Sequence, residues 1–344
     1  MSTYSVDRDD AYRAGQTHVV EDVVTYAPDN AEPLVLLHLR AMLRVPIEAG
    51  NQMQSLTVAM AREPRHWTED EVRLMENVAA LVRSTLESAQ VQQRERNIAR
   101  QLEAALLPPS PPSLPGLALS SFYRPALQEA GVGGDFFDVF SVEKGCTALV
   151  VADLSGKGLA AAQQVATVKN MLRFALYNGH TVSDAITRLH NTLVKHDLLT
   201  GFATLFVGMY DYTERSLTYV NCGQEPGLLR RAKTGKVEML NHTGPVLGGF
   251  GPGSYQQRTV ILSDGDVLAL FTDGLTEVGP TRKDLLEIEG VIEVLDQCCA
   301  DTVETGNPST IVDRIIAMVD AFGLGGVRDD IAVLVGVVGA SAGD

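Results

Sequence analysis

The sequence has 344 residues, of which 45% are hydrophobic, which is enough for two domains with a sizeable core. Its 28 Lys and Arg stand against 43 Asp and Glu, a formal net charge of −15. No basic cluster stands out, which argues against nucleic acid and anionic membranes as partners. No apolar run approaches the ~20 residues of a membrane span, and the start, MSTYSVDRDD, lacks the basic and apolar stretches of a signal peptide. Cys146, Cys222, Cys298 and Cys299 form no Cys-x-x-Cys pair, no disulfide framework and no thiol-phosphatase loop, so reduced thiols in a cytoplasmic protein are expected.

In chain order, the polar segment Met1–Gly15 carries no structural pattern. The spacing then predicts a strand over Thr17–Val24, a helix over Glu32–Met42, and strands over Leu43–Ile47 and Leu56–Met60. The phrases RAGQTHVVEDV, LRAMLRVPIEAGNQMQSLTVA and HWTEDEVRLMENVAALV resemble the latter part of a GAF sensor domain. The first half of an ordinary GAF domain does not fit before Ala14. The resemblance therefore implies a small GAF-like α/β lobe over residues 1–68, either shortened or belonging to something longer. A dimerisation lobe and a ligand sensor stand side by side as readings of it.

Thr68-Glu69-Asp70-Glu71 is a helix start with acids in its first turn. Helix-compatible sequence free of Gly and Pro continues to Leu107, where the run Pro108–Pro112 stops it, so residues 69–107 read as a helical linker. Leu74, Leu81 and Leu102, with Val91, Ile98 and Ala105, occupy two heptad positions of one register, while Ser84, Ser88 and Glu95 interrupt the seam. A switchable coiled coil and a helix broken near Gln90–Glu95 are both consistent with this pattern. The coiled-coil reading implies a homodimer.

From residue 108 to 344 the chain changes character. Ten strand-like pieces are expected, among them Phe136–Val142, Thr147–Ala152, Ala203–Tyr210, Val267–Phe271 and Ile331–Val338. Four helix-like pieces, Leu159–Tyr177, Val182–Leu198, Asp284–Cys299 and Ser309–Phe322, complete a layered α+β sandwich. Three strand ends carry acids beside glycines. Gly133-Gly134-Asp135 leads into a strand that also holds Asp138, Thr147–Ala152 ends in Asp153-Leu154-Ser155-Gly156-Lys157-Gly158, and Val267–Phe271 runs into Thr272-Asp273-Gly274. Asp329-Asp330 opens the last strand. Converging carboxylates of this kind suit hard divalent cations. The Asp153 loop is not an EF-hand, because positions 5 and 12 are Lys157 and Gln164. It is not a phosphate-binding P-loop either, because Gly156-Lys157 is followed by glycine.

The stretches VGGDFFDV, VVADLSGKGLAAA, FATLFVGMYD, NCGQEPGLL, LFTDGLTE and VRDDIAVLV, in this order, resemble the metal-dependent PP2C-type (PPM) serine/threonine phosphatases in their bacterial SpoIIE/RsbU-like branch. The resemblance implies a PPM-type α-β-β-α sandwich and two Mn²⁺ or Mg²⁺ ions at one edge of the paired sheets. Carried over by motif, Asp153 would bridge both ions and the Leu154 carbonyl would ligate one. Asp135, Asp273 and Asp329 would complete the set, with Asp330 and Asp138 as second choices. Two such ions lower the pKa of a shared water for in-line attack on a phosphoester. The implied substrate is a phosphoserine or phosphothreonine regulator of the STAS-type anti-anti-sigma class, with the N-terminal lobe as regulator. The alternatives are a non-catalytic phosphoprotein- or ligand-binding signalling module on the same fold, and a metal-dependent nucleotide or small-phosphoester hydrolase. Three departures from the pattern matter. No residue matches the arginine with which the eukaryotic branch grips phosphate. Lys157 stands where the branch often has histidine, as a substrate contact or a solvated side chain. Gln224 replaces the histidine of an Asn-Ala-Gly-His pattern, so altered substrate contact with spared metal binding is expected there.

Overall fold

The structure of the chain, a computed structural model, describes residues 16–26, 31–49, 52–106, 111–112, 114–125, 133–156, 158–248, 251, 253–281, 283–300, 307–323 and 329–339. It divides into two units, Met1–Glu95 and Arg96–Asp344. Lys157 lies outside the described residues.

The first unit contains β1 (His18–Val20), α1 (Val23–Tyr26), α2 (Glu32–Leu36), β2 (Leu39–Ala49) and β3 (Gln52–Ala61), and α3 (Glu69–Leu106) begins in it. The strands form one sheet in the order β1-β2-β3. Two expectations from the sequence are corrected here. The strand expected over Thr17–Val24 stops after three residues, because the Asp22 carboxylate accepts from the Val24 N–H at 3.1 Å and turns the chain into α1. The helix expected over Glu32–Met42 ends at Leu36. His38 reverses the chain with φ 59°, and the following residues pair with β3 instead. Strand pairing prevails there because alternate residues gain a buried face. Ala41 and Leu43 pack with Trp67, and Val45 and Ile47 pack with Ala79.

Helix α3 opens on a reciprocal cap. The Thr68 hydroxyl accepts from the Glu71 N–H at 3.3 Å, and the Glu71 carboxylate accepts from the Thr68 N–H at 3.0 Å. The helix continues without a break through residues 90–95. Val72, Met75, Ala79, Val82 and Leu86 face the sheet, whereas Leu74, Val78, Leu81 and Val91 are exposed.

The second unit contains β4 (Leu117–Arg124), β5 (Phe136–Glu143), β6 (Cys146–Leu154), α4 (Leu159–Tyr177), α5 (Val182–Lys195), β7 (Ala203–Asp211), β8 (Ser216–Cys222), β9 (Gly227–Arg230), β10 (Val237–Leu240), β11 (Arg258–Ile261), β12 (Val267–Phe271), α6 (Glu287–Ala300), α7 (Pro308–Gly323) and β13 (Ile331–Val338). Two antiparallel five-stranded sheets form, ordered β11-β8-β7-β6-β5 and β10-β9-β12-β13-β4. Along β6, Ala148, Val150 and Ala152 face α4 and α5, while Leu149 and Val151 face the opposite sheet. Along β12, Val267, Ala269 and Phe271 face α6 and α7, while Leu268 and Leu270 face inward. Strands covered on both faces read as unbroken apolar runs, and the result is a four-layer α-β-β-α sandwich. The helix expected from Asp284 starts at Glu287, because the Leu286 and Glu287 N–H groups are bound by the carbonyls of Val278 and Thr276.

Leu270 sits between the sheets with 1% exposure. Leu270→Ala is expected to lower unfolding free energy by about 3 kcal/mol, through lost transfer energy and the cavity left behind. Urea titration of the two proteins checks this, and a change under about 1 kcal/mol contradicts the packing described.

Candidate metal centre

The antiparallel register decides which residues meet. Phe136 pairs with Ala152, so Asp135, which leads into β5, lies beside Asp153 near the end of β6. Phe271 pairs with Val333, so Asp273, which follows β12, lies beside Asp329 and Asp330, which precede β13. The sandwich places these two pairs of strand ends at one edge. Glycines permit the close approach. A Cβ on Gly133 would collide with the Asp330 carboxylate, one on Gly134 with the Leu154 carbonyl, and one on Gly274 with the Asp330 carbonyl.

The electrostatics of the edge are unfavourable by themselves. Burial first, and then the Asp153 charge, push the Asp135 carboxyl well above the ordinary range, and Asp330 adds to the shift. Asp273 is pushed up to about 7 by burial and by Asp153, Glu277, Asp329 and Glu225. Asp135 is 6% exposed, and its Oδ2 has no hydrogen-bond partner among the described residues. A buried carboxylate oxygen without a donor, among carboxylates that repel it, fits a hard cation held by oxygen ligands. Among the described residues no three His, Cys, Asp or Glu side chains close on one point by themselves.

Asp135, Asp153, Asp273, Asp329 and Asp330, with the Leu154 carbonyl, are thus brought to one edge. Asp138 is not. It is 1% exposed and points from β5 into the helix layer, where Arg173 of α4 grips both carboxylate oxygens at 2.7 Å each and Lys169 lies at 3.7 Å. Asp138 therefore anchors α4 and is removed from the candidate ligands. Gln224 is 2% exposed and is bonded within the protein at both ends of its side-chain amide. His190 is buried in α5, and its Nε2 donates to the Gly251 carbonyl at 2.9 Å.

Three residues that sequence reasoning passed over belong to the site. Thr272 bonds Asp135 through its hydroxyl, which also accepts from the Ala332 N–H at 2.9 Å. The Glu225 carboxylate accepts from the Thr276 hydroxyl at 3.1 Å and adds negative charge beside Asp273. Thr272 was detectable as a hydroxyl inside the Thr-Asp-Gly turn. Nothing in the spacing marked Glu225 or Thr276.

Residues 143–337 match the Stage II sporulation protein E (SpoIIE) family, and residues 2–86 match the GAF domain. The chain belongs to the SpoIIE family and carries an N-terminal GAF domain. It is 28% identical over 183 residues to the phosphoserine phosphatase RsbU of Bacillus subtilis, covering 53% of each chain. It is 26% identical over 225 residues to protein IcfG of a Synechocystis species, covering 57% of this chain and 34% of that one. It therefore spans about half or less of the length of these curated relatives. Its fold is similar to part of the structure of the RsbU and RsbW domains of a Mycobacterium tuberculosis protein, with a TM-score of 0.59 at 24% identity over 68% of this chain and 63% of that one. The PP2C phosphatase domain of Bacillus subtilis SpoIIE, with a fragment of its regulatory domain, gives a TM-score of 0.55 at 19% identity over 64% and 61%.

The raised carboxyls have a consequence for pH. Between the ordinary carboxyl value and about 7, the folded state holds a proton on Asp273 that the unfolded state has released. The contribution of this group to metal-free stability is therefore full at low pH and lost as pH rises through about 7. Metal-free Asp273→Asn is expected to gain melting temperature relative to the unsubstituted chain between about pH 5 and about pH 8. Mn²⁺ should stabilise only the unsubstituted chain, with protons released on binding. Melting curves and calorimetry in buffers of different ionisation enthalpy check this, and a constant difference with no proton release contradicts it.

Proposed function

We propose that this chain is a divalent-cation-dependent protein serine/threonine phosphatase. The observation that carries the reading is the edge where Asp135, with its buried and unpartnered oxygen, meets Asp153, Asp273, Asp329 and Asp330. Asp135, Asp153, Asp273 and Asp329, with the Leu154 carbonyl, would hold two Mn²⁺ or Mg²⁺ ions, with Asp330 behind them. When bound, such ions supply positive charge for a phosphoryl group and a water acidified for in-line attack on it. The chain's own contribution is placement. The strand ends hold the carboxylates at one edge, Thr272 orients Asp135, and Thr276 holds Glu225 beside Asp273. The absence of a Gly-Lys-Ser/Thr loop argues against nucleotides as substrates. The names of RsbU and RsbP of Bacillus subtilis, both phosphoserine phosphatases, support a phosphoserine or phosphothreonine protein. Within that class, the resemblance to the RsbU-like branch favours a phosphorylated STAS-type regulator.

The test is phosphate release from a phosphoserine protein by the full chain. Asp153→Asn and Asp273→Asn are each expected to lower turnover by orders of magnitude while circular dichroism stays unchanged, and EDTA should abolish turnover reversibly. Activity that survives both substitutions, or that favours ATP over phosphoprotein, overturns the reading.

The N-terminal lobe acts in this proposal as a dimeric regulator of the phosphatase domain. The sheet-facing side of α3 is covered, and Leu74, Val78 and Leu81 form a separate exposed apolar stripe at coiled-coil spacing. The full chain is expected to be a homodimer by light scattering, and Leu74→Glu with Leu81→Glu should give a monomer of altered basal activity. A monomeric unsubstituted chain excludes this part of the proposal.

A further inference from the structure

Between β8 and β9 the chain crosses from one sheet of the sandwich to the other, and Gln224 lies in this crossing. Both ends of its side-chain amide are bonded. Oε1 accepts from the Thr204 hydroxyl at 2.6 Å, and Nε2 donates to the Phe271 carbonyl at 3.1 Å. Thr204 is on β7, directly opposite Asp153 in the β6–β7 register. Phe271 ends β12, two residues before Asp273. One side chain thus joins the strand neighbour of Asp153 in the first sheet to the lead-in of Asp273 in the second.

The backbone of Gln224 is fixed as well. Its N–H donates to Asn221 Oδ1 at 2.9 Å, and its carbonyl accepts from His242 Nε2 at 2.9 Å. Asn221, fully buried, donates in turn to the carbonyls of Glu225 and Leu240, at 3.3 Å each. A fully satisfied polar network in a dry interior is stiff, because any displacement leaves a buried group unpaired.

We propose that Gln224 is a positioning residue for the metal centre, a brace that sets the separation of Asp153 and Asp273 across the gap between the sheets. This inference rests on the metal reading above. Two carboxylates that repel one another relax apart unless the strands carrying them are tied, and the Thr204–Gln224–Phe271 link is a tie at that level of the sandwich. The brace touches neither ion nor substrate, so its effect is on cation affinity through the spacing of the ligands.

The experiment is Mn²⁺ titration of the full chain by calorimetry, with melting temperature recorded separately. Gln224→Met keeps the length of the side chain and removes both bonds, and its Mn²⁺ affinity is expected to fall about ten-fold or more. Thr204→Val should lose part of that affinity and Thr204→Ser, which keeps the hydroxyl, should recover it. The double variant Gln224→Met with Thr204→Val should be no weaker than Gln224→Met alone, since both remove the same link. If Gln224→Met does not fold, the Thr204→Val and Thr204→Ser pair decides the matter. Variants that melt earlier but bind Mn²⁺ within about two-fold of the unsubstituted chain give Gln224 a structural role only and overturn the brace, leaving the metal reading intact. An unsubstituted chain that takes up no Mn²⁺ overturns the metal reading and the brace together.

Discussion

Carboxylates that repel one another have to be held together by something other than themselves, and the second unit is organised around that constraint. Two unit charges a few ångströms apart near a protein surface repel by roughly 4 kcal/mol at short range. The edge of the sandwich gathers five acids there, Asp135, Asp153, Asp273, Asp329 and Asp330. The opposing forces are distributed. Strands buried on both faces fix the backbone on either side, glycines at 133, 134 and 274 let the loops approach, and Thr272 supplies a donor to the buried Asp135. Burial and mutual repulsion raise the carboxyls of Asp135 and Asp273, and a proton held there relieves part of the charge; a cation bound as proposed would displace it.

The helix layers have different duties from the sheets. Asp138 leaves the sheet on the side away from the acids and fastens α4 through Arg173. A single strand, β5, thereby holds a helix at one residue and leads out of the acidic edge three residues earlier. In the first unit, α3 presents one face to its own sheet and another to solvent. The SpoIIE and GAF matches assign these two units to separate families, and each has a hydrophobic core of its own.

Much of the second unit was legible because its strands are covered on both faces. Thr147–Ala152 and Val267–Phe271 are continuous apolar runs ended by an acid and a glycine, and both properties survive in one dimension. What was not legible depended on direction or on distant partners. Asp138 resembles a ligand in sequence, and only the alternation along β5 turns it toward α4. The role of Gln224 as a link between the sheets has no local signal, because the two groups that bind its amide, Thr204 and the Phe271 carbonyl, lie 20 and 47 residues away. Residues 39–42 are consistent with a helix until β3 is available to pair with them. Glu225 and Thr276 carry no spacing signal, since their contact is made only once the two sheets have stacked.

Strand β13 is the last strand among the described residues, yet it lies in the interior of its sheet, between β12 and β4. Among the described residues β4 bonds to that sheet through β13 alone, so it lacks this partner until β13 has been synthesised. Asp329 and Asp330 immediately precede this strand. A ribosome-bound chain that has not yet reached residue 329 therefore lacks both the middle of one sheet and part of the acidic edge. Chains terminated within residues 331–338 keep Asp329 and Asp330 but carry an open sheet, so the two acids lack the strand that fixes them at the edge.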